Sequence, residues 1–433
     1  MFRTIIDAFK VKEIRKKILL TLLFLFIYRV GCWIPCVGLN KDFVLGDSST
    51  SLGFFELMNM VSGGALSNCS VLALGVSPYI TSSIVIQLLS VAIPALERLT
   101  KSGEDGRRKI NFYTRITALI LAIAQSIGIV VSYASQGIFD PNLTAVMPEW
   151  LVGVGVVVIM VAGSMFTVWL GERITDLGIG NGTSLLIFVG ILSTAGTSIY
   201  SIVEACFTID VSYVWYLVIF LVALILIFAF IVWMDGGERK VHVQYAKQIR
   251  GRKIYGGQSN HIPIKVNATG VMPIILASTL LTFPQLIISI FWPDVTWYSD
   301  WLGTNSWLYI VLTAVFILLF AFFYSKITFD PDDVAKRIQQ QGGFIQGIRP
   351  GKQTAEHLGK ISGRITLFGA ILLAIIALIP SLAFKAIGSV PGASLLINAF
   401  SVTGLMIAVS VALELEKQLS AQMFMRNHKG FLS

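Results

Sequence analysis

The segment Gly75-Val-Ser-Pro-Tyr-Ile-Thr-Ser-Ser83 recurs as Gly270-Val-Met-Pro-Ile-Ile-Leu-Ala-Ser278, so both copies read G-V-x-P-x-I-x-x-S. Each copy lies in an apolar stretch long enough to cross a bilayer, whose core requires about 20 apolar residues per helix. The two copies lie in the second and the seventh apolar stretches of the chain. Because consecutive membrane spans alternate in direction, an offset of five spans makes the two copies run in opposite directions. The pattern therefore favours an inverted repeat of two halves. The alternative is chance recurrence of Gly, Pro and Ser, because Gly and Pro are common in membrane helices.

Ten apolar stretches of this kind occur along the chain. They predict an all-α polytopic membrane protein with ten transmembrane helices in two pseudo-symmetric inverted halves, residues 1–202 and 203–433. The composition, 55% apolar and 13% charged, agrees because such a chain mostly faces lipid or its own helices. The predicted spans are 18–39, 70–93, 113–134, 151–170, 184–202, 213–234, 270–291, 306–326, 364–384 and 396–413.

The basic residues are distributed asymmetrically about this predicted membrane. Thirty of the 33 Lys and Arg residues fall on the side that holds both termini. The exceptions are Lys41 and Lys385 in opposite loops and Arg29 inside the first span. Because Lys and Arg concentrate in cytoplasmic loops, both termini are predicted to lie in the cytoplasm. The same confinement accounts for most of the net charge of +9, which in a soluble protein would suggest nucleic-acid binding.

Ionisable residues are almost absent from the predicted spans, where Arg29 is the one charged side chain well inside. A secondary transporter with inverted repeats, the main alternative function, normally carries such residues near the midplane. An intramembrane enzyme would need a nucleophile with its base, or a metal-binding pair, on a span. The four His residues instead fall in predicted cytoplasmic loops or the tail, and the four Cys residues lack metal-ligand spacing. We therefore expect no enzyme activity, no metal site and no cofactor.

A short apolar segment, residues 52–66, follows the first predicted span and ends near the pair Gly63-Gly64. It is too short to cross a bilayer. Irregular backbone at membrane depth is tolerated only where protein or a water-filled cavity surrounds it. The segment therefore reads as a half-inserted helix inside a vestibule, and a helix lying flat on the outer leaflet is the alternative.

Two predicted cytoplasmic loops, 235–269 and 327–363, are long, polar and basic. In the first, alternation of apolar and polar residues around Val241–Tyr245 predicts a protruding β-like hairpin with a basic tip. The second contains a predicted helix near 332–341, a Gly pair, and a turn that displays Arg349. Such tips can dock an acidic protein or RNA phosphates. Positive-inside topology, without any partner, accounts equally well for each single Lys or Arg.

The sequence resembles the SecY family, the main subunit of the bacterial protein-conducting channel, over nearly its whole length. Four long motifs carry the resemblance and occur in order on the predicted spans and loops. They are SPYITSSIVIQLL at 77–89, LGERITDLGIGNG at 170–182, VQYAK at 243–247 continuing through YGGQSNHIPIKVN at 255–267, and QGGFIQGIRPGKQTAE at 341–356.

The resemblance implies an hourglass of two five-helix halves that opens sideways to lipid between the second and seventh spans. It also implies a pore ring of aliphatic residues and a plug helix at about 53–66. By motif position the ring comprises Ile80, Ile84, Thr183, Ile187, Ile275 and Ile407, with Thr183 standing where relatives carry an aliphatic residue. Ordinary packing is the alternative for aliphatic residues at helical spacing. The plug residues are Gly53, Phe54, Phe55, Leu57, Met58, Val61, Gly63 and Gly64.

The resemblance further implies that unfolded secretory polypeptides pass the pore and that apolar segments leave it sideways into the bilayer. Its expected partners are signal sequences, the motor ATPase SecA, a translating ribosome, and the small membrane subunits SecE and SecG. SecA and the ribosome would contact Lys247, Arg252, Lys253 and Arg349. The expected location is the bacterial plasma membrane.

Overall fold

The computed structural model describes most of the chain. The described residues are 9–40, 58–59, 62–134, 138–208, 213–245, 248–250, 253–255, 259–267, 270, 272–291, 301, 306–387 and 402–429.

The described residues are mostly helical. The helices are α1 (Lys12–Gly31), α2 (Ser77–Ala92), α3 (Pro94–Lys101), α4 (Glu104–Ala134), α5 (Pro141–Thr144), α6 (Glu149–Leu177), α7 (Gly182–Thr208), α8 (Tyr213–Gly236), α9 (Met272–Phe291), α10 (Trp307–Thr328), α11 (Pro331–Gln340), α12 (Lys352–Ile387) and α13 (Val402–Lys429). The strands are β1 (Glu238–Tyr245), β2 (Gln248–Arg250), β3 (Lys253–Tyr255), β4 (Ser259–Lys265) and β5 (Gly343–Phe344).

Each predicted span overlaps one long helix, and several of these helices can cross a membrane. Within the described residues, four helical segments are long and apolar enough, and the bent pair α2 and α3 makes a fifth when it is taken as one span. The protein therefore crosses the membrane several times, and the count of ten crossings stays a prediction. The four segments are Glu104–Val131, Glu149–Leu177, Trp307–Gln340 and Lys352–Ile379.

The second predicted span, 70–93, needs correction at its start. Helix α2 begins only at Ser77, with Pro78 in its first turn, and residues 63–76 form turns. Gly75 adopts a φ of +53°, which interrupts a right-handed helix there. Neighbouring segments satisfy this buried backbone, since Val71 N donates to Ile34 O at 2.9 Å and Ser164 Oγ donates to Gly75 O at 3.1 Å.

A sharp bend of 109° separates α2 from α3. Ile93 between them is extended, with φ −108° and ψ 113°, because the following Pro94 disfavours the helical conformation of its predecessor. Helix α3 is amphipathic, its described residues are exposed or half-buried, and it packs on α4. Pro94 therefore ends the second predicted span at its predicted boundary.

The long helices pack mainly against their neighbours in sequence. Helix α4 packs on α2 and α6, and α10 packs on α9 and α12. Contacts among the described helices also join the first five predicted spans to the last five, because α9 packs on α4, and both α13 and α8 pack on α7. The division into two halves at residue 202 stays a prediction.

The two long loops that the sequence predicts to be cytoplasmic fold into one body. Strands β1 and β4 pair antiparallel, with His242 opposite His261, and β2 pairs with β3 as a smaller hairpin. This confirms the predicted hairpin structure of the first loop. The short strand β5 of the second loop adds to the other edge of β1, so the sheet order is β4-β1-β5. These strands are the one departure of the described residues from the predicted all-α class.

The sheet acquires its own small core against helices of the second loop. Val243 on β1 and Leu358 on α12 are fully buried, and Ile338 on α11 packs with them. Alternate residues of β1 are buried and exposed, as expected of a strand with one covered face. The body is therefore a packed unit built from both loops.

Candidate functional site

Four predicted ring residues lie in one apolar cluster although four different helices supply them. Ile187 on α7 and Ile407 on α13 are buried in this cluster, and Ile80 on α2 and Ile275 on α9 pack against it. Ile84, one turn after Ile80, is 3% exposed and belongs to an adjoining cluster that also includes Ile80 and Ile275. Side chains far apart in sequence are thus brought together in two adjoining hydrophobic clusters.

Thr183 stands one turn before Ile187, at the start of α7. Its backbone N and its Oγ1 both donate to Asn181 Oδ1, at 3.1 and 2.7 Å. A Cβ built on Gly171 would lie 3.0 Å from its Cγ2, so the methyl group lies beside α6. The hydroxyl is satisfied within its own helix turn, and only the short methyl adds to the apolar surface. Its membership of the ring stays a prediction.

A seam between α2 and the pair α9 and α10 adjoins the ring residues. Ile84 packs there with Leu276 of α9 and Tyr324 of α10. The Tyr324 hydroxyl donates to Gln87 Oε1 on α2 at 3.2 Å. This seam is therefore mostly apolar, with a hydrogen bond bridging α10 and α2.

The predicted plug is described only at its end. Gly53, Phe54, Phe55, Leu57 and Val61 lie outside the described residues. Met58 is 2% exposed and packs in an apolar cluster with Leu66 and residues of α4 and α6. Gly63 and Gly64 adopt φ values of +72° and +82°, which L side chains rarely adopt.

Asn59 organises this turn at the end of the predicted plug. Its Oδ1 accepts from the backbone N and from the Oγ of Ser67, at 3.0 and 3.1 Å, and its carbonyl accepts from Gly64 N at 2.9 Å. The turn is consequently a defined structure that presents the Ser62 and Gly63 carbonyl groups to neighbouring helices.

Side chains of helix α1 donate hydrogen bonds to those carbonyl groups. The sequence did not reveal these bonds. Arg29 Nη1 donates to Gly63 O at 3.0 Å, and Arg29 Nη2 bonds Ser193 Oγ on α7. The Tyr28 hydroxyl donates to Ser62 O at 3.3 Å. The isolated charge of Arg29 within a predicted span was the signal in the sequence, but its partners are distant along the chain.

Two of the four predicted docking residues, Lys253 and Arg349, lie within the described residues. Lys247 and Arg252 lie outside the described residues, and Lys253 is in β3 beside Arg250 of β2. Arg349 is exposed in the turn before α12, where its carbonyl accepts from Thr354 Oγ1 at 2.9 Å. Since Thr354 is 1% exposed, this bond anchors the tip that carries the Arg349 side chain.

No group of three or more His, Cys, Asp or Glu residues suited to a metal ion occurs among the residues that the structure describes. The candidate site comprises the hydrophobic cluster, the turn bonded to α1 and α7, and the body built from the two long loops. Together with the several membrane-crossing helices, these features define a multi-pass membrane protein of the channel class.

Comparisons with known proteins agree with this class. The profile of the SecY family matches residues 70–415. The protein translocase subunit SecY of Streptomyces scabiei is 39% identical, and the alignment covers 98% of each chain. The chain therefore belongs to the SecY family, and it is a subunit of a protein-conducting channel and not an enzyme.

Solved structures share the fold at low sequence identity. "The structure of a protein conducting channel" superposes with a TM-score of 0.67 at 19% identity, covering 95% of this chain and 94% of that chain. Sec61 in the canine ribosome-channel complex from the endoplasmic reticulum gives a TM-score of 0.63 at 18% identity, with coverage of 95% and 94%. The fold confirms the resemblance that the sequence motifs indicated.

Proposed function

We propose that the apolar cluster is the constriction of the channel and that the segment at about 53–66 is its plug. The carrying observation is that Ile80, Ile187, Ile275 and Ile407 meet from four helices in one uncharged cluster. Ile84 and Thr183 complete the proposed ring. The proposed halves, residues 1–202 and 203–433, contribute to it from opposite sides, with ten crossings in all.

An aliphatic constriction suits a pore for unfolded polypeptides. A charged or hydrogen-bonding ring would bind some passing segments too tightly, because conduction requires that each bound state be left easily. Isoleucine side chains offer no such site. In the idle channel the same ring excludes ions, since a narrow hydrophobic constriction dewets. The plug adds a second barrier.

The seam between α2 and the pair α9 and α10 is the proposed lateral exit. It is closed mainly by the apolar contacts of Ile84 and Leu276. An apolar segment in transit gains about 0.3 to 0.6 kcal/mol for each Leu, Ile, Phe or Val residue on moving into the bilayer. Secretion and membrane insertion are thus two exits from one pore.

The cytoplasmic body is the proposed docking surface for a ribosome or for the motor ATPase SecA. A fold neighbour is described in a ribosome-channel complex, and Arg349 presents an exposed cation on an anchored turn. The proposed contacts are Lys247, Arg252, Lys253 and Arg349. The proposed setting is the bacterial plasma membrane with both termini in the cytoplasm and with SecE and SecG as membrane partners.

Crosslinking of a stalled secretory chain tests the proposed pore. A photoreactive residue at position 80, 187 or 275 is expected to crosslink to the stalled chain, whereas one at the exposed Ile120 of α4 is not. Crosslinks of equal yield at all four positions would refute the proposed path. A crosslink to a small solute, with none to the polypeptide, would favour the transporter alternative.

A further inference from the structure

We propose that Arg29 is the residue that positions the plug in the idle channel, by tying the Gly63 carbonyl group to the Ser193 hydroxyl group of α7. This proposal rests on the plug function proposed above. It assigns a role to the one charged side chain that lies well inside a predicted span, which that function leaves unexplained.

The two ends of the Arg29 guanidinium bond different parts of the molecule. Nη1 donates to Gly63 O at 3.0 Å, and Nη2 bonds Ser193 Oγ. Among the residues that the structure describes, no ion pair includes Arg29. Both of these acceptors are neutral oxygen atoms, and hydrogen bonds with one ionised partner are stronger than neutral ones. The guanidinium therefore links α1, α7 and the turn at residues 62–67 (the plug turn).

Two further groups of α1 face the same turn. The Tyr28 hydroxyl donates to Ser62 O at 3.3 Å, and Cys32 Sγ lies 3.7 Å from the same oxygen. Tyr28 and Cys32 lie one helical turn apart and both are 0% exposed. The consecutive carbonyl groups of Ser62 and Gly63 are thus held by the last turn of α1 and its cap residue, with Arg29 as the charged member.

The turn also lies directly on the backbone of α7. A Cβ built on Gly63 would approach Arg29 Nη1 to 2.7 Å, Gly190 Cα to 2.8 Å and Gly190 O to 2.9 Å. Only a glycine leaves room for this contact, and the φ of +72° also favours glycine. The close approach lets one guanidinium reach both Gly63 and Ser193.

The arrangement connects the ring to the plug. Helix α7 carries the ring residue Ile187, the contact residue Gly190 and the bonding residue Ser193 at successive positions three apart. When a polypeptide widens the ring and moves α7 away from α1, Arg29 cannot keep both bonds. Loss of either bond frees the plug turn. The combined strength of the two Arg29 hydrogen bonds therefore sets how readily an incoming segment opens the channel.

The test uses the full chain with its membrane partners, reconstituted into vesicles in which idle ion conductance is measured. Arg29→Met is expected to raise the idle conductance about tenfold or more, and Ser193→Ala about threefold. The double variant is expected to resemble Arg29→Met, because both changes remove one linkage. Thr117→Val is the matched control, since that exposed hydroxyl bonds only the Tyr113 carbonyl of its own helix. It should conduct like the unaltered channel.

A second readout separates positioning from a general structural role. The Arg29 and Ser193 variants are expected to export substrates with less apolar signal segments, which the unaltered channel rejects. Arg29→Lys keeps the charge but cannot bond both oxygens at once. In both assays its values should lie between those of Arg29→Met and those of the unaltered channel. A lower thermal stability with unchanged conductance and substrate range would overturn the proposal.

Deletion of residues 53–61 distinguishes failure of this proposal from failure of the plug function. If the deletion raises the idle conductance while Arg29→Met and Ser193→Ala do not, the positioning role of Arg29 is wrong and the plug stands. If the deletion also leaves the conductance unchanged, the plug function itself is wrong. Should Arg29→Met fail to insert, Ser193→Ala and Arg29→Lys decide the question in the same assays.

Discussion

The substitution Ile84→Asp is expected to make the idle channel leak ions. Ile84 is 3% exposed, and burying an isoleucine side chain contributes about 1.5 to 3 kcal/mol. Placing an aspartate at the centre of a membrane helix costs about a further 2.5 to 3.5 kcal/mol on the insertion scale. Together these terms disfavour the dry, packed arrangement relative to a hydrated one by about 4 to 6 kcal/mol. At about 1.4 kcal/mol for each factor of ten, the ratio of the hydrated to the dry arrangement rises about a thousandfold or more.

The assay is the ion conductance of vesicles that contain the reconstituted channel without substrate. Ile84→Leu is the matched control, because a volume-conserving apolar exchange costs less than about 1.5 kcal/mol and keeps the site dry. It should conduct like the unaltered protein. An unchanged conductance of Ile84→Asp, in vesicles where deletion of residues 53–61 causes a leak, would refute the assignment of Ile84 to the constriction.

Three further outcomes are expected. Tyr324→Phe removes the hydrogen bond across the seam to α2, worth about 1 kcal/mol, so a signal segment should crosslink to lipid about fivefold faster; an unchanged rate would contradict the seam. Arg349→Glu should reduce motor-driven export about tenfold or more with unchanged idle conductance, whereas Lys352→Glu, at the start of α12, should have a smaller effect; equal losses would indicate only a general charge effect. Gly163→Leu should destabilise the protein by more than about 3 kcal/mol, because its Cβ would overlap a neighbouring backbone carbonyl. The control Gly155→Ala on the same helix meets open space and should leave thermal unfolding almost unchanged. Equal thermal unfolding midpoints for the two variants would show that the turns before α2 do not pack on α6.

The helical elements and the family were predictable because their signals are local. Apolar stretches of fixed length coincide with long helices, as at 151–170 within α6, and alternation in 241–245 predicted strand β1. The start of α2 was predicted seven residues too early, since Val71–Val76 is as apolar as the helix that follows. Hydropathy reports burial, and it does not distinguish a buried turn from a buried helix.

The functional site was predictable only in part. Motif position identified Ile80, Ile187, Ile275 and Ile407, which lie in one cluster, although their function stays a proposal. The linkage of Arg29 to Gly63 and Ser193 had no signal beyond an isolated charge, because hydrogen-bond partners 34 and 164 residues away leave no periodic pattern. The joining of the two long loops through β5 was missed for the same reason, since a strand of two residues has no alternation to detect.

The amino-acid sequence by itself determined that the chain enters a membrane, which residues form its long helices, and which family it belongs to. Hydropathy, charge bias and motifs are properties of contiguous residues, so they survive without any knowledge of packing. Only the tertiary structure decided which side chains of different helices meet, how the turn at residues 62–67 lies against α1 and α7, and that the two long loops fold into one body. These features depend on contacts between distant segments, and such contacts exist only once the helices have packed.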